Sequence, residues 1–337
     1  MTSLGARLLA LALFSPATAL AWGATGHEYV SGIAAEALPE EIPAFLRTPA
    51  SNADIAVLGR ELDRSKGSGE PHDYERDQGH FIALDDAGTV RGLPLTELPE
   101  TREAFDTEMR KRGSTQYRAG YLPYAIVDGF QQLVTDFAYW RAARVAAGNA
   151  LDPADRAWFA TDLARRERLI VRDLGVWSHY VGDASQPLHV SQRDNRWGDT
   201  PNPPGFPDAR KLHQWFEGPF VREHVTRDAV ARAVALQPYR DCAGCPIQER
   251  VRVLFLESHA HVMPLFELDR RGAFSGNDPI GVAFATARLA HGAAALRDMI
   301  VDAWRASAHA KISYPPIAVS DIEAGRHVLK RSDFGND

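Results

Sequence analysis

Cysteine is almost missing from this chain. Only Cys242 and Cys245 occur in 337 residues, written Cys-Ala-Gly-Cys. Two thiols with no further Cys or His at finger spacing argue against a structural zinc finger. In an oxidising compartment a small local disulfide is the expectation. No thioredoxin-like strand–helix pattern surrounds the pair, so it reads as structural. Long apolar runs are also missing: no segment reaches the ~18 residues that a membrane-spanning helix needs. Basic excess is missing too, since the formal net charge is −6. That excludes a broad cationic surface for holding nucleic acid. It leaves open a catalyst whose positive charge comes from bound ions, because three divalent cations would bring +6. Period-two strands and internal repeats are equally lacking.

What is present begins with a leader. Arg7 supplies a positive start, Leu8 to Phe14 a short apolar core, and Ala19-Leu-Ala21 the small residues of a cleavage site. Residues 1–21 are therefore expected to be a signal peptide, leaving Trp22 as the new first residue and a secreted or periplasmic product. Removing Arg7 leaves a net charge of −7. The remainder reads as one all-α domain over 22–312, followed by a polar, loosely attached tail over 313–337. Helices are predicted over Gly26–Leu38, Thr101–Arg112, Tyr124–Ala147, Trp158–Ala184, Ile247–Glu267 and Ile280–Ala308, from apolar residues three and four apart. Asp152-Pro153 opens the fourth with an N-cap and a first-turn proline. Loops are expected around 65–78, 194–208, 239–246 and 270–278. The Asn-, Pro- and Gly-rich stretch 191–210 is long for a helical domain, which favours a functional loop.

Twelve histidines are present, and most read as surface or satisfied core residues. The stretch His179-Tyr-Val-Gly-Asp183-Ala-Ser-Gln-Pro187-Leu-His189 stands apart. His179 and Asp183 are four apart and share a helix face. Pro187 ends that helix and lets His189 return toward the same place. Imidazole with carboxylate suits zinc, and a carboxylate can bridge two ions. His213 and Glu217 repeat the four-residue spacing. Each pair alone would pass for an ordinary ion pair. Two further pieces complete the order: Trp22-Gly-Ala-Thr-Gly-His27 at the expected mature end, and His80-Phe81. A free α-amine at Trp22, with an ordinary pKa near ~8, becomes a ligand once deprotonated, and with the Trp22 carbonyl closes a chelate ring.

Taken together and in this order, the motifs resemble one superfamily. It is the trinuclear-zinc group containing the fungal single-strand-specific nucleases and the bacterial zinc phospholipases C. The resemblance runs from Trp22 to Glu217. It implies an all-α domain with a zinc cluster in a cleft between helices. It also implies three zinc sites: an upstream Asp with His80, His179 and Asp183; the Trp22 amine and carbonyl with His27 and a bridging Asp183; and His189, His213 and Glu217. The upstream Asp is Asp63 or Asp54. Asp63 is preferred for its distance from His80 and because Lys66 follows at +3, where the nucleases carry an arginine near the phosphate. Asp63 is then the expected catalytic carboxylate, and Lys66 (or Arg64) a contact for the substrate phosphate.

Such a centre suits hydrolysis of a phosphodiester by a zinc-activated hydroxide. The expected activity is an exported single-strand nuclease acting on DNA or RNA, with Phe81, Tyr180 and Trp197 as aromatic candidates for base stacking. The N-terminal motif resembles the nucleases. Glu217 and the His-Tyr-x-Gly-Asp wording resemble the phospholipases, so phospholipid head groups stand as the alternative substrate. A non-catalytic zinc-binding protein is the remote third reading, and no stable protein partner is implied.

Overall fold

The computed structural model describes residues 22–69, 71–193, 205–206, 209–242 and 244–335. The expected leader and Trp197 lie outside these residues. Ten helices carry the argument: α1 (Ala24–Glu36), α2 (Pro49–Leu58), α3 (Arg102–Lys111), α4 (Leu122–Asn149), α5 (Pro153–Ser185), α6 (Ala209–Trp215), α7 (Arg227–Ala235), α8 (Ile247–His259), α9 (Val262–Arg270) and α10 (Pro279–Ser307). Shorter helical turns fill the connections. The strands described are two antiparallel pairs of two residues each, Thr89–Val90 with Leu93–Pro94 and Lys311–Ile312 with Ile317–Ala318. The chain is a single all-α domain.

Helix starts follow local chemistry. The side chains of Thr48, Thr101, Asp152, Thr226 and Asp278 each accept from a first-turn amide of the helix that follows. Those amides have no partner within the helix, so each cap is worth about 1 kcal/mol. Asp152-Pro153 and Asp278-Pro279 add a proline whose fixed φ suits the first helical position. At its other end α5 stops at Ser185, and Gln186 is extended (ψ 117°) ahead of Pro187.

The long helices α4 and α5 pack on one another, with α1, α2 and α10 around them. The Trp177 indole N–H donates to the Ile126 carbonyl at 3.0 Å, tying α5 to α4. A large apolar core runs through these helices and includes fully buried Trp22, Phe105, Phe137, Phe216 and Phe255.

Three local expectations need correction. The stretch predicted as one helix over 247–267 is two, α8 and α9. Pro264 lacks an N–H, and in a continuous helix its ring would meet the Ala260 carbonyl, so the chain restarts at Val262 and places Pro264 in a first turn. The loop expected over 65–78 contains a short helix, His72–Arg76. The segment after Ser313 is not loosely attached. Val319, Ile322 and Leu329 are buried in a second small core with Phe159, and Glu323 pairs with Arg141 at 2.8 Å. Its apolar residues are sparse in sequence, yet Val319, Ile322 and Leu329 all turn into that core while Tyr314 stays exposed.

Candidate metal centre

Six segments deliver eight metal-type side chains to one buried region. His27 comes from α1, Asp63 from the turn after α2, and His80 from the turn before Phe81. His179 and Asp183 come from the last turns of α5, and His189 from the turn Pro187–Val190. His213 lies on α6, and Glu217 in a π-helical turn, Phe216–Phe220, that continues it. All but Asp63 are at most 4 % exposed. The Asp63 side chain is 11 % exposed.

The four-residue spacing acts as the helix dictates. His179 Nε2 lies 3.3 Å from Asp183 Oδ2, and His213 Nε2 lies 2.8 Å from Glu217 Oε2. Glycine at 182 lets α1 approach, because a Cβ there would sit 3.0 Å from His27 Nδ1. The His27 and His179 rings stack with centroids 3.9 Å apart.

Three groups of ligand atoms result: His27, Asp63 and His179; His80, His179 and Asp183; and His189, His213 and Glu217. The third matches the expected set. The first two partition differently from expectation, because Asp63 falls with His27 rather than with His80. Asp183 reaches both, at 2.9 Å from His80 Nδ1 through Oδ2 and 3.4 Å from His27 Nε2 through Oδ1. Separations near 3.3 Å are what donors about 2.05 Å from a shared tetrahedral zinc would show.

Asp54 is exposed on α2. It borders a surface groove with Glu167, Arg168 and Arg172 of α5, and it is not among the grouped ligands. Lys66 Nζ lies 2.7 Å from Asp63 Oδ1, with its side chain only 5 % exposed. Trp22 is fully buried, its indole N–H donating to Ser185 Oγ at 3.0 Å. The Gly23 amide donates to the Glu217 carbonyl at 3.0 Å, which holds the chain beside the third group. A free amine at Trp22 requires cleavage after Ala21, outside the described residues.

Electrostatics within the cluster are strong. Burial pushes Asp183 up, but the imidazoles of His179 and His189 outweigh it and hold the carboxyl well below its ordinary value. Burial lowers His27 well below 6.5, and the neighbouring His179 adds to this. Burial and the Lys66 ammonium take His80 down to about 3. His179 and His189 shift upward, because the Asp183 carboxylate overcomes their burial. Glu217 is held low despite burial, chiefly by His213.

No family model, curated protein or solved structure matches the chain. The residues themselves must therefore say whether a metal fits. His27 makes no hydrogen bond through either ring nitrogen, nor does His213, whose Nε2 only faces the Glu217 carboxylate as an ion pair. Asp183 Oδ1, His189 Nε2 and Glu217 Oε1 are likewise buried without one. Leaving one such group unpaired costs about 1–3 kcal/mol, more if charged. Here seven atoms cluster, and all are of types that ligate zinc. Backbone carbonyls behind the rings complete the pattern. His179 Nδ1 faces the Gly59 carbonyl at 2.8 Å, and His189 Nδ1 the His80 carbonyl at 2.6 Å. A ring donating there through Nδ1–H presents the Nε2 lone pair inward. The three groups could hold metal ions.

Sequence reasoning passed over the residues around the ligands. Gly59 supplies a carbonyl to His179, and a Cβ on it would lie 2.1 Å from Ser31 Oγ. Gln186 is fully buried between two groups. Its place inside Gln-Pro-Leu-His was a visible signal. Gly59 offered none.

Within the described residues no helix is long and apolar enough to cross a membrane. The Cys242–Cys245 disulfide forms, with Cα atoms 5.3 Å apart.

Proposed function

We propose that this chain is an exported, zinc-dependent phosphodiesterase that cleaves single-stranded nucleic acid. The carrying observation is the convergence of His27, Asp63, His80, His179, Asp183, His189, His213 and Glu217 on one region, with atoms of His27, Asp183, His189, His213 and Glu217 buried there without a hydrogen bond. Three ions would be held by these residues, with Asp183 between two of them and the Trp22 amine joining once the leader is removed. Zinc supplies Lewis acidity to a phosphoryl oxygen and lowers the pKa of water.

The chain's own groups divide the remaining work. Lys66 holds Asp63 through Oδ1, which leaves Oδ2 to orient the attacking water and accept its proton. The ammonium of Lys66 adds positive charge for the substrate phosphate. His189, His213 and Glu217 would hold the separate ion, which would supply positive charge for the leaving oxygen. Nucleic acid is favoured as substrate by the half-buried aromatics flanking His80. Phe81 follows it in the chain, and the Tyr180 ring meets it edge-on at 5.6 Å. Exposed bases stack on such rings whatever their sequence.

The test is substrate profiling of protein whose first residue is shown by mass spectrometry to be Trp22. Bis-p-nitrophenyl phosphate, single-stranded DNA, RNA and phosphatidylcholine micelles are each incubated with and without chelator. Chelator-sensitive cleavage of nucleic acid is expected. Cleavage of lipid alone would replace the substrate, and no hydrolysis of any would end the enzymatic reading.

A further inference from the structure

Gln186 stands at the junction between the helix that ends with Asp183 and the turn that carries His189. Its backbone amide donates to the Asp183 carbonyl at 3.0 Å, and its carbonyl accepts from the His189 amide at 3.0 Å. The side chain, fully buried, splits its two ends between two tasks. Oε1 accepts from the Leu188 amide at 2.6 Å, which caps the turn Pro187–Val190. Nε2 donates to Glu217 Oε2 at 3.2 Å, reaching a residue 31 positions away.

That division has a chemical consequence. Glu217 Oε2 also faces His213 Nε2 at 2.8 Å and His189 Nε2 at 3.7 Å, so it is the carboxylate atom turned toward both imidazoles of the third group. A carboxylate oxygen carries two lone pairs. One amide N–H fixes its direction and leaves the other pair for a cation. The same glutamine fixes the turn that aims His189. The His80 carbonyl finishes the job by receiving His189 Nδ1–H, and the Ile82 amide donates to the His189 carbonyl at 2.9 Å. Two of the three side chains of the third group therefore owe their orientation to one uncharged residue that binds nothing itself.

We propose that Gln186 is the positioning residue that assembles the third metal position, and that the other two positions fill without it. The idea rests on the metal-binding part of the functional reading and is independent of the substrate. Partners that orient metal ligands typically matter by 10–100-fold in affinity. The opposite ends of the amide make the roles separable. Gln186→Glu keeps the size and the acceptor for Leu188, but turns a carboxylate on Glu217 where a donor stood. Gln186→Met keeps the volume and removes both contacts.

The experiment titrates zinc alone into metal-free full-length mature protein, with binding read by calorimetry and stoichiometry by native mass spectrometry. Wild type is expected to take three ions. Gln186→Glu is expected to weaken one of them by about 10–100-fold while two bind within about threefold of wild type, with the far-ultraviolet circular dichroism unchanged. Gln186→Met should lose the same ion and melt at a lower temperature before metal is added. Gln186→Glu should also melt lower before metal is added, because two carboxylates then face one another. The double variant Gln186→Glu with Glu217→Gln, which restores an amide–carboxylate pair with roles exchanged, should recover that loss. Three ions bound by Gln186→Glu at wild-type affinity would overturn the proposal. So would weakening of all three alike, or a wild type that binds no third ion. Three ions bound without any phosphodiester hydrolysis would instead overturn the function and leave this assembly role standing.

Discussion

Two polar regions in this molecule, one fully buried and one partly so, handle charge in opposite ways. On α10, Asp298 accepts from Arg297 Nε and Nη2 through Oδ1 and from the Arg240 amide through Oδ2. One turn on, Asp302 takes the Tyr239 hydroxyl on Oδ1 and Arg250 Nε on Oδ2, both at 2.6 Å. Every carboxylate oxygen there has a protein donor. In the His–Asp cluster the reverse holds, with Asp183 Oδ1 and both nitrogens of His27 left without a hydrogen bond. A region that satisfies itself needs nothing from outside and fixes the fold. A region that leaves acceptors bare is costly alone, and it becomes favourable only when a cation arrives.

The comparison can be broken most decisively at Asp183. Asp183→Asn should empty two metal positions and cut phosphodiesterase activity by about 10³-fold or more, the scale of losing a preorganised electrostatic group. Zinc counting and turnover on bis-p-nitrophenyl phosphate read both. Asp63→Asn should act in the same direction, whereas Asp54→Asn, an exposed change, should alter rates by less than about twofold. Near-normal activity in Asp63→Asn would undo the assignment.

Chelation comes next in size. An ion held at 1,000 times its Kd contributes about 4 kcal/mol, and each kcal/mol moves Tm by roughly 2–4 °C in a domain of this scale. Calorimetry with and without chelator should therefore show a fall of roughly 8–16 °C for each position emptied. An unchanged Tm would place the bare acceptors among groups that bind nothing. Asp302→Ala belongs to the self-satisfied region. It should cost about 1–2 kcal/mol in denaturant unfolding, given its partial exposure, and leave zinc content at the wild-type value. Lost zinc in that variant would mean that the two regions are coupled.

The smallest effect lies between these extremes. Asp136 on α4 is buried, has Oδ2 without a hydrogen bond, and faces Asp173 of α5. Burial, then the Asp173 charge, raises it to about 6. The folded state thus favours the protonated acid. Stability contributed by this group is full below about pH 4 and declines as pH rises through about 6. Asp136→Asn should remove that decline and gain on the order of 1–2 kcal/mol at pH 7. A wild type whose stability does not fall over that interval relative to the variant would refute the shift.

Much of the fold was legible because its signals are local. The cap at Asp152 marks α5, the longest helix, and the three- and four-residue apolar rhythm does the rest. The break at Ala260 was missed although Pro264 announced it, because the rhythm continues across it. The packed segment after Ser313 was missed because three apolar residues carry its burial, too few to read as a pattern. For the site, side-chain type and spacing picked out His179, Asp183, His189, His213 and Glu217, and the ordered resemblance added His27, Asp63 and His80 to the candidate ligands. They could not reveal how α1 and the turn at Asp63 fold over α5, since that depends on close approach at Gly182 and Gly59. Nor could they separate Asp63 from Asp54, which packing alone turned inward and outward.

The spread of the candidate ligands along the chain bears on when a metal could bind. They come from six segments, and His27 and Glu217 stand 190 residues apart along the chain. Until the helices dock, none of the three groups of ligand atoms is complete. An exported chain crossing a membrane unfolded would carry no cargo of metal with it. On the proposed reading, any ion is therefore taken up on the far side, in the same step in which the helices close around it.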